Sequence, residues 1–463
     1  MTLSAQETEE AFNFVMSEIV RHAQMSFEEM KTLGFRDFLG PKLTDQNGRQ
    51  WTLGRAAIER FHELAERAVD DSPYRRRLDT KAAFESILRG YGAEYLRIDR
   101  SGTSPEEDRG RLAAWIEAAG QQCETLTHFI PCQIGMKQAG CASIGPVTFG
   151  SVENAISQLS GPLQASRDTE RERDPQRSSF VTDKCDAYLQ AFSDVAQVTV
   201  PDCDPPTSRR IAEEAVQAAI NTLHLLAGAY PTEDMRAGGP AMASIETASI
   251  ALKEDGEILL SWKKSWEGAG IHSKFWATLS EPQRAQRMDA LSVAISTIIN
   301  RTDPHFVASR FLDAVAWYSD AVRERSKPAA IVKYLTAMER LLWTGERGPG
   351  VTRRLSERTA ALCFSAVDWD FEQLEAEVRE AYDLRSGIVH GRLSATDPKV
   401  MRNHRLCKRV ARDLLLTWLD RYGPGFALET SIQKAKMHFD AFVKEVKEET
   451  AKRKLTEPTT ACA

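Results

Sequence analysis

"YDLRSGIVHG", Tyr382 to Gly391, closes a long stretch of alternating apolar and polar residues, and its reading decides the architecture of the last third of the chain. Leu384 and Ile388 are four apart. On a helix they share a face and continue the apolar seam of "WDFEQLEAEVREAYDLRS", Trp369 to Ser386. Ser386 and His390 are also four apart and stack together. At about 100° per residue, Ser386 lies roughly 200° from Leu384, on the far side from the seam, with Arg385 between the two faces. Gly387 and Gly391 weaken the helix at this point. From spacing alone the stretch is either a polar helix end, with His390 near the C-terminal dipole, or a site for chemistry on a phosphate.

Working outward, the neighbouring segments repeat the helical pattern. Arg284 to Asn300 carries Met288, Leu291, Ile295 and Ile298 on one side. "TDPHFVASRFLDAVAWYSDAVRER" opens with Asp303 as the expected cap and Pro304 at the first helical position. "KPAAIVKYLTAMERLLW" has a Pro near its start, and "VTRRLSERTAALCFS" follows it. "TDPKVMRNHRLCKRVARDLLLTWLDRY" repeats the Asp-Pro opening. These segments predict an all-α helical bundle over residues 281–425. A charged helix or tail over 426–463 follows, read as a surface element.

The region before it has a different texture. Thr8 to Lys31 has Phe12, Val15, Ile19 and Met25 at helical spacing. "GRAAIERFHELAERAV" and "DTKAAFESILRGY" read as helices, the second capped by Asp79. From Thr127 short runs bounded by Gly and Pro read as strands, among them "THFIPCQIG", "ASIGPVTFGS" and "AQVTVPDCDPP". Ser166 to Ser178 is nearly all charge and turn residues, which predicts a solvated loop. A helix is expected from Ser208 to about Ala227, and "SIALKEDGEILLSW" predicts a hairpin turning at Asp255-Gly256. The expected fold class is an α+β N-terminal region, residues 1–280 in one or two units, followed by the all-α bundle.

Composition narrows the class. At 463 residues the chain exceeds one ordinary domain, and 42% hydrophobic with 27% charged residues is a globular balance. The net charge of −6 argues against wholesale coating of nucleic acid but leaves room for a local basic face. The acidic start, "MTLSAQETEE", has no apolar core, so no secretory signal is expected, and no window has the length of a membrane-spanning helix. Eight scattered Cys without a Cys-x-x-Cys pair suit reduced thiols in a cytoplasm.

The chemical reading of the opening stretch is phosphodiester cleavage. His moves protons near neutrality, and Arg grips phosphate oxygens through a planar fork. No acidic cluster near the pair suggests a two-metal site, so no cofactor or metal is expected. A metal-free route needs the substrate's own 2′-hydroxyl as nucleophile, which means RNA. One His does not readily serve as both base and acid; a two-fold dimer would bring two copies together. Downstream, Arg402, Arg405, Arg409 and Arg412 line one side of a helix, with Leu406, Val410 and Leu414 on a separate apolar side. The arginines are either phosphate-backbone contacts or an ordinary solvated face.

The bundle resembles the HEPN superfamily, in particular its Apea-like branch. The likeness rests on "LRSGIVHG", Leu384 to Gly391, with the Arg, four to six residues, His pattern; on "YLTAMERLLW", Tyr334 to Trp343, with Glu339; and on "VTRRLSERTAALC" between them. It spans about residues 284–422. The resemblance implies a dimerising bundle with a composite, metal-independent RNase site, of the kind used as toxins or in defence against phage. Carried over by position, Arg385 binds the scissile phosphate and His390 moves the proton. Ser386 stands where many members have Asn, Asp or His, with a role in orienting the phosphate. Glu339 pairs with Arg385 and holds it, the alternative being a plain structural ion pair. The expected partners are RNA, tRNA included, and a second copy of the chain, with residues 1–280 sensing an unknown trigger. The rival readings are a catalytically silent HEPN module that binds RNA, nucleotide or protein, and a scaffold that only dimerises.

Three weaker signals complete the sequence. Cys123, His128, Cys132 and Cys141 cluster but match no zinc spacing, so they read as strand or buried residues. "RAGGPAMAS", Arg236 to Ser244, lacks the form of a phosphate loop. Trp262 and Trp266 beside Lys263 and Lys264 offer base stacking or, more simply, packing.

Overall fold

A computed structural model describes residues 3–26, 40–45, 47–97, 104–135, 140–174, 194–233, 235–237, 245–252, 258–265, 273–303, 305–348, 350–364, 370–394, 397–426 and 431–456. The chain divides into two compact units: residues 1–127 with 199–211, and residues 128–198 with 212–463. Among the described residues, no helix is long and apolar enough to cross a membrane.

The first unit is built from four helices, α1 (Ala5–Gln24), α2 (Arg55–Asp70), α3 (Thr80–Ala93) and α4 (Pro105–Gly120), with a short hairpin of β1 (Lys42–Thr44) and β2 (Gln50–Thr52). Local chemistry sets the helix starts. Ser4 and Glu7 form a reciprocal capping box on α1, so that helix begins earlier than its apolar spacing announces. Asp79 caps α3 as its sequence predicts, and Ser104 with Pro105 opens α4. The core is aromatic: Phe12, Phe61, Tyr91, Tyr95 and Trp115 pack together. The Tyr91 hydroxyl donates to the Phe12 carbonyl at 2.8 Å, satisfying its one polar atom in that core.

A five-stranded sheet follows, in the order β4-β5-β6-β3-β7: β3 (Glu124–Gln133), β4 (Ala142–Ile144), β5 (Val147–Ser151), β6 (Asp194–Cys203) and β7 (Arg236–Ala237). Of the strands read at 127–135, 142–151 and 196–206, the first is β3, the second is a hairpin of β4 paired with β5, and the third is β6, which ends at Cys203. Helix α5 (Val152–Arg173) corrects the expected loop from Ser166: it continues to Arg173. Glu, Arg and Gln are good helix formers, and pairs such as Gln164 Nε2 to Asp168 Oδ1 at 3.0 Å support a helix without an apolar stripe. Helix α6 (Pro205–Ala227) starts three residues before Ser208, because Asp204 accepts from the Thr207 amide and the Pro pair fits the first turn. Strands β8 (Ile245–Leu252) and β9 (Ile258–Ser265) pair antiparallel as expected, while their Asp255-Gly256 turn lies outside the described residues. The structure is thus predominantly helical, with a small antiparallel sheet in the N-terminal half and a helical C-terminal region.

That region follows a short helix α7 (Ser273–Thr278) and comprises α8 (Ala285–Ile299), α9 (Phe306–Val322), α10 (Lys327–Leu342), α11 (Val351–Phe364), α12 (Phe371–Val389), α13 (Pro398–Tyr422) and α14 (Ile432–Thr456). Asp303 does not cap α9; His305 holds the cap position without a side-chain bond, and Pro304 lies outside the described residues. The second Asp-Pro works as expected, with Asp397 accepting from the Lys399 amide at 2.8 Å. Helix α10 packs between α9 and α13, and α11 packs on α12. The charged final helix α14 also lies on α11, burying Ala435, Phe439, Phe442 and Val446, so it belongs to the packed body of this unit.

Candidate functional site

The site sits where α12 ends. His390 is the C-cap, and Gly391 follows with φ +67°, the left-handed conformation that glycine adopts without a Cβ penalty. The Gly391 amide donates to the Ile388 carbonyl at 3.0 Å, and the Arg392 amide to the Gly387 carbonyl at 2.8 Å. This pair of reversed bonds is a Schellman termination. Gly387 serves the same turn differently: a Cβ there would lie 2.6 Å from the Leu393 Cδ1, so the glycine makes room for the chain folding back. The two glycines therefore build the helix end.

Arg385 and Glu339 come together from α12 and α10, Nη1 to Oε1 at 3.1 Å, with 33% and 27% of their side chains exposed. Burial holds the Glu339 carboxyl above its ordinary range, and the Arg385 charge opposes that rise. The Arg385 Nε is buried without a partner among the described residues, as is the Tyr382 hydroxyl one turn earlier. Burial and the nearby Glu339 charge push the Tyr382 phenol up, while Arg385 pulls the other way. Tyr382 thus stands beside the pair although nothing in its sequence position announces it.

Ser386 and His390 occupy the outer face. His390 is exposed, and Ser386 Oγ accepts from Arg392 Nη2 at 3.2 Å. Arg392, invisible to the spacing argument because it follows the helix end, joins this polar cluster through the Schellman turn. Arg385 and His390 differ by about 140° around the helix axis, so one chain presents them on well-separated faces.

The arginine stripe on α13 divides. Arg402, Arg405 and Arg409 are exposed; Arg402 bonds Glu380 at 2.5 Å, and Arg409 lies 3.8 Å from Asp413. Arg412 is turned to a structural task. Its Nε and Nη2 donate to the carbonyls of Leu225 and Leu226 at 3.1 and 3.0 Å, satisfying the C-terminal end of α6. The stripe therefore offers three arginines to solvent. Along the apolar side, Val410 and Leu414 are buried and Leu406 partly so.

Elsewhere, no group of three or more His, Cys, Asp or Glu suited to a metal occurs among the described residues. Cys132 is buried with its thiol pushed well up by burial, Cys123 is half-buried and Cys141 exposed. Trp266 and the Trp262 side chain lie outside the described residues, as does most of "RAGGPAMAS", of which Arg236–Ala237 forms β7.

No family model matches the chain, and no curated protein or solved structure matches it either.

Proposed function

We propose that the chain is a metal-independent RNA endonuclease of the Apea-like HEPN type, working as a homodimer in which two helix ends form one composite site. The observation that carries this reading is the state of Arg385. Its guanidinium is one-third exposed, held by a single carboxylate contact, and followed five residues later by an exposed His390. Arg385 grips the scissile phosphate through its uncommitted Nη2. His390 takes the proton from the 2′-hydroxyl, and the partner's copy returns one to the leaving 5′-oxygen, giving a 2′,3′-cyclic phosphate. The 140° offset within one chain supports the two-fold arrangement, since Arg385 and His390 converge more readily across a dimer than within a helix. Glu339 orients Arg385, and Ser386 with Arg392 lies beside the phosphate. Arg402, Arg405 and Arg409 contact the RNA backbone. Such an enzyme acts as a toxin or anti-phage effector in the cytoplasm, released by a trigger on the N-terminal region.

A second reading has its own support. The Ser386–Arg392 contact and the exposed arginines also suit a silent module that binds RNA without cutting it. Incubating total RNA and purified tRNA with the pure protein in EDTA separates the two. The enzyme reading expects defined fragments with cyclic phosphate ends from wild type and none from His390→Ala. Tight RNA binding with intact RNA from both, for the full chain with and without phage-infected cell extract, favours the silent module.

A further inference from the structure

We propose that the N-terminal unit binds a small amphipathic cation, an apolar ring or short chain bearing a primary ammonium, in a cavity beside Tyr74. This inference is independent of the ribonuclease reading. The cavity has a volume of about 320 Å³ and lies between the end of α2, the turn that follows it and the outer face of α4. That size suits a single ring with a short tail, and sites of this kind combine an apolar wall with a few polar groups.

The floor is apolar and fixed by packing: Leu3, Ala68, Leu112 and Ile116 are each buried. Tyr74 forms one wall, and its ring is pinned at two points. Its hydroxyl donates to Glu117 Oε1 at 2.8 Å. Its ring lies over Gly120, where a Cβ would come within 2.2 Å of ring carbon Cζ. Glycine at the end of α4 thus allows the aromatic wall to close against the helix. That Glu117 bond raises the Tyr74 phenol, which keeps its hydroxyl the donor.

The rim decides the charge of the occupant. Asp71 and Glu117 both line the mouth, and Asp71 Oδ2 accepts the Leu3 amide. The one basic lining residue, Arg109, already holds Glu106 at 2.9 Å. Arg77, whose guanidinium lies 5.5 Å over the Tyr74 ring, is held by Asp202, so neither arginine is bonded to the two lining carboxylates and the mouth favours a cation. An ammonium there meets carboxylate oxygens while its apolar body replaces water against the floor. An anion of the same shape meets repulsion at the rim.

Isothermal titration of the full chain with three probes of one shape tests this: phenethylamine, 2-phenylethanol and phenylacetate. The expected order is amine, then alcohol about tenfold weaker, then carboxylate weakest. Glu117→Gln brings the amine down to the level of the alcohol. Ala113→Trp, at an exposed position on the cavity wall, fills the space and abolishes binding of the amine while the melting temperature holds. Equal affinity for all three probes, no saturable heat with any of them, or unchanged amine binding in Ala113→Trp would overturn the proposal.

Discussion

Among the arginine–glutamate pairs of the helical region, Arg358–Glu346 and Arg385–Glu339 have contrasting environments. Arg358 is 2% exposed and uses both terminal nitrogens twice, on the Leu342 carbonyl, Thr344 Oγ1, Glu346 and Asp440. It joins α11, the segment after α10 and the final helix α14. Burial alone would raise Glu346, but hydrogen bonds from Thr344 and the Arg358 charge outweigh it and hold the carboxyl at about 2. Arg385 has one contact, one-third exposure and a partner carboxyl held above its ordinary range. The first pair is satisfied and closed. The second is under-satisfied and open, which is the condition of a group waiting for another anion. Burial and bond count, rather than residue type, separate a structural arginine from a candidate binding one.

The largest expected effect comes from breaking the closed pair. Arg358→Ala strands the buried Glu346 carboxylate and is expected to lower stability by about 3–5 kcal/mol, whereas Arg385→Ala costs about 1 kcal/mol or less. Urea denaturation of both variants checks this; equal losses would erase the distinction. Arg412→Ala strips two carbonyls of α6 of their charged donor, an expected loss of about 1.5–3 kcal/mol by the same assay. A loss near zero would return Arg412 to the solvated stripe.

A buried histidine sets the pH behaviour of this unit. His224 Nδ1 lies 2.9 Å from Thr232 Oγ1, which itself donates to the Gly228 carbonyl, so the proton sits on Nδ1 and the buried Nε2 has no partner among the described residues. Burial first, then the Arg323 charge, lower its pKa to about 3. Its folded value is depressed, so its contribution is intact above the unfolded value of about 6.5 and is lost as pH falls from there toward 3. Between pH 6.5 and 5 the expected loss is about 1.6 kcal/mol. A wild-type stability profile as flat as that of His224→Gln over this range would contradict the assignment. A comparably small effect is expected at the helix end. Gly391→Ala forces a Cβ into the left-handed region and costs about 1 kcal/mol, read as a drop in melting temperature.

Much of this was legible in the sequence. Apolar spacing located the helices from 285 onward, and Asp79 and Asp397 marked two starts. Asp303 misled, because a capping residue acts only where the backbone turns, and the turn came two residues later. Ser166 to Arg173 misled for the opposite reason: residues of good helix propensity continue a helix without an apolar run in the sequence. At the candidate site, the helix end and the Arg385–Glu339 contact followed from spacing and likeness. Tyr382, Arg392 and the inward turn of Arg412 did not, because each depends on a neighbour distant in sequence or on the path of the chain after Gly391.

On the proposed reading, Arg385 is held for an incoming phosphate and does not hold the fold. The most direct test measures melting temperature and tRNA cleavage together, in EDTA, for wild type, Arg385→Ala and Arg385→Lys. The account predicts melting temperatures within a few degrees of wild type, with cleavage lost in Arg385→Ala by about 100-fold or more and only partly restored by lysine, which lacks the planar fork. Cleavage at the wild-type rate in Arg385→Ala, or loss of folding in step with loss of cleavage, would contradict it.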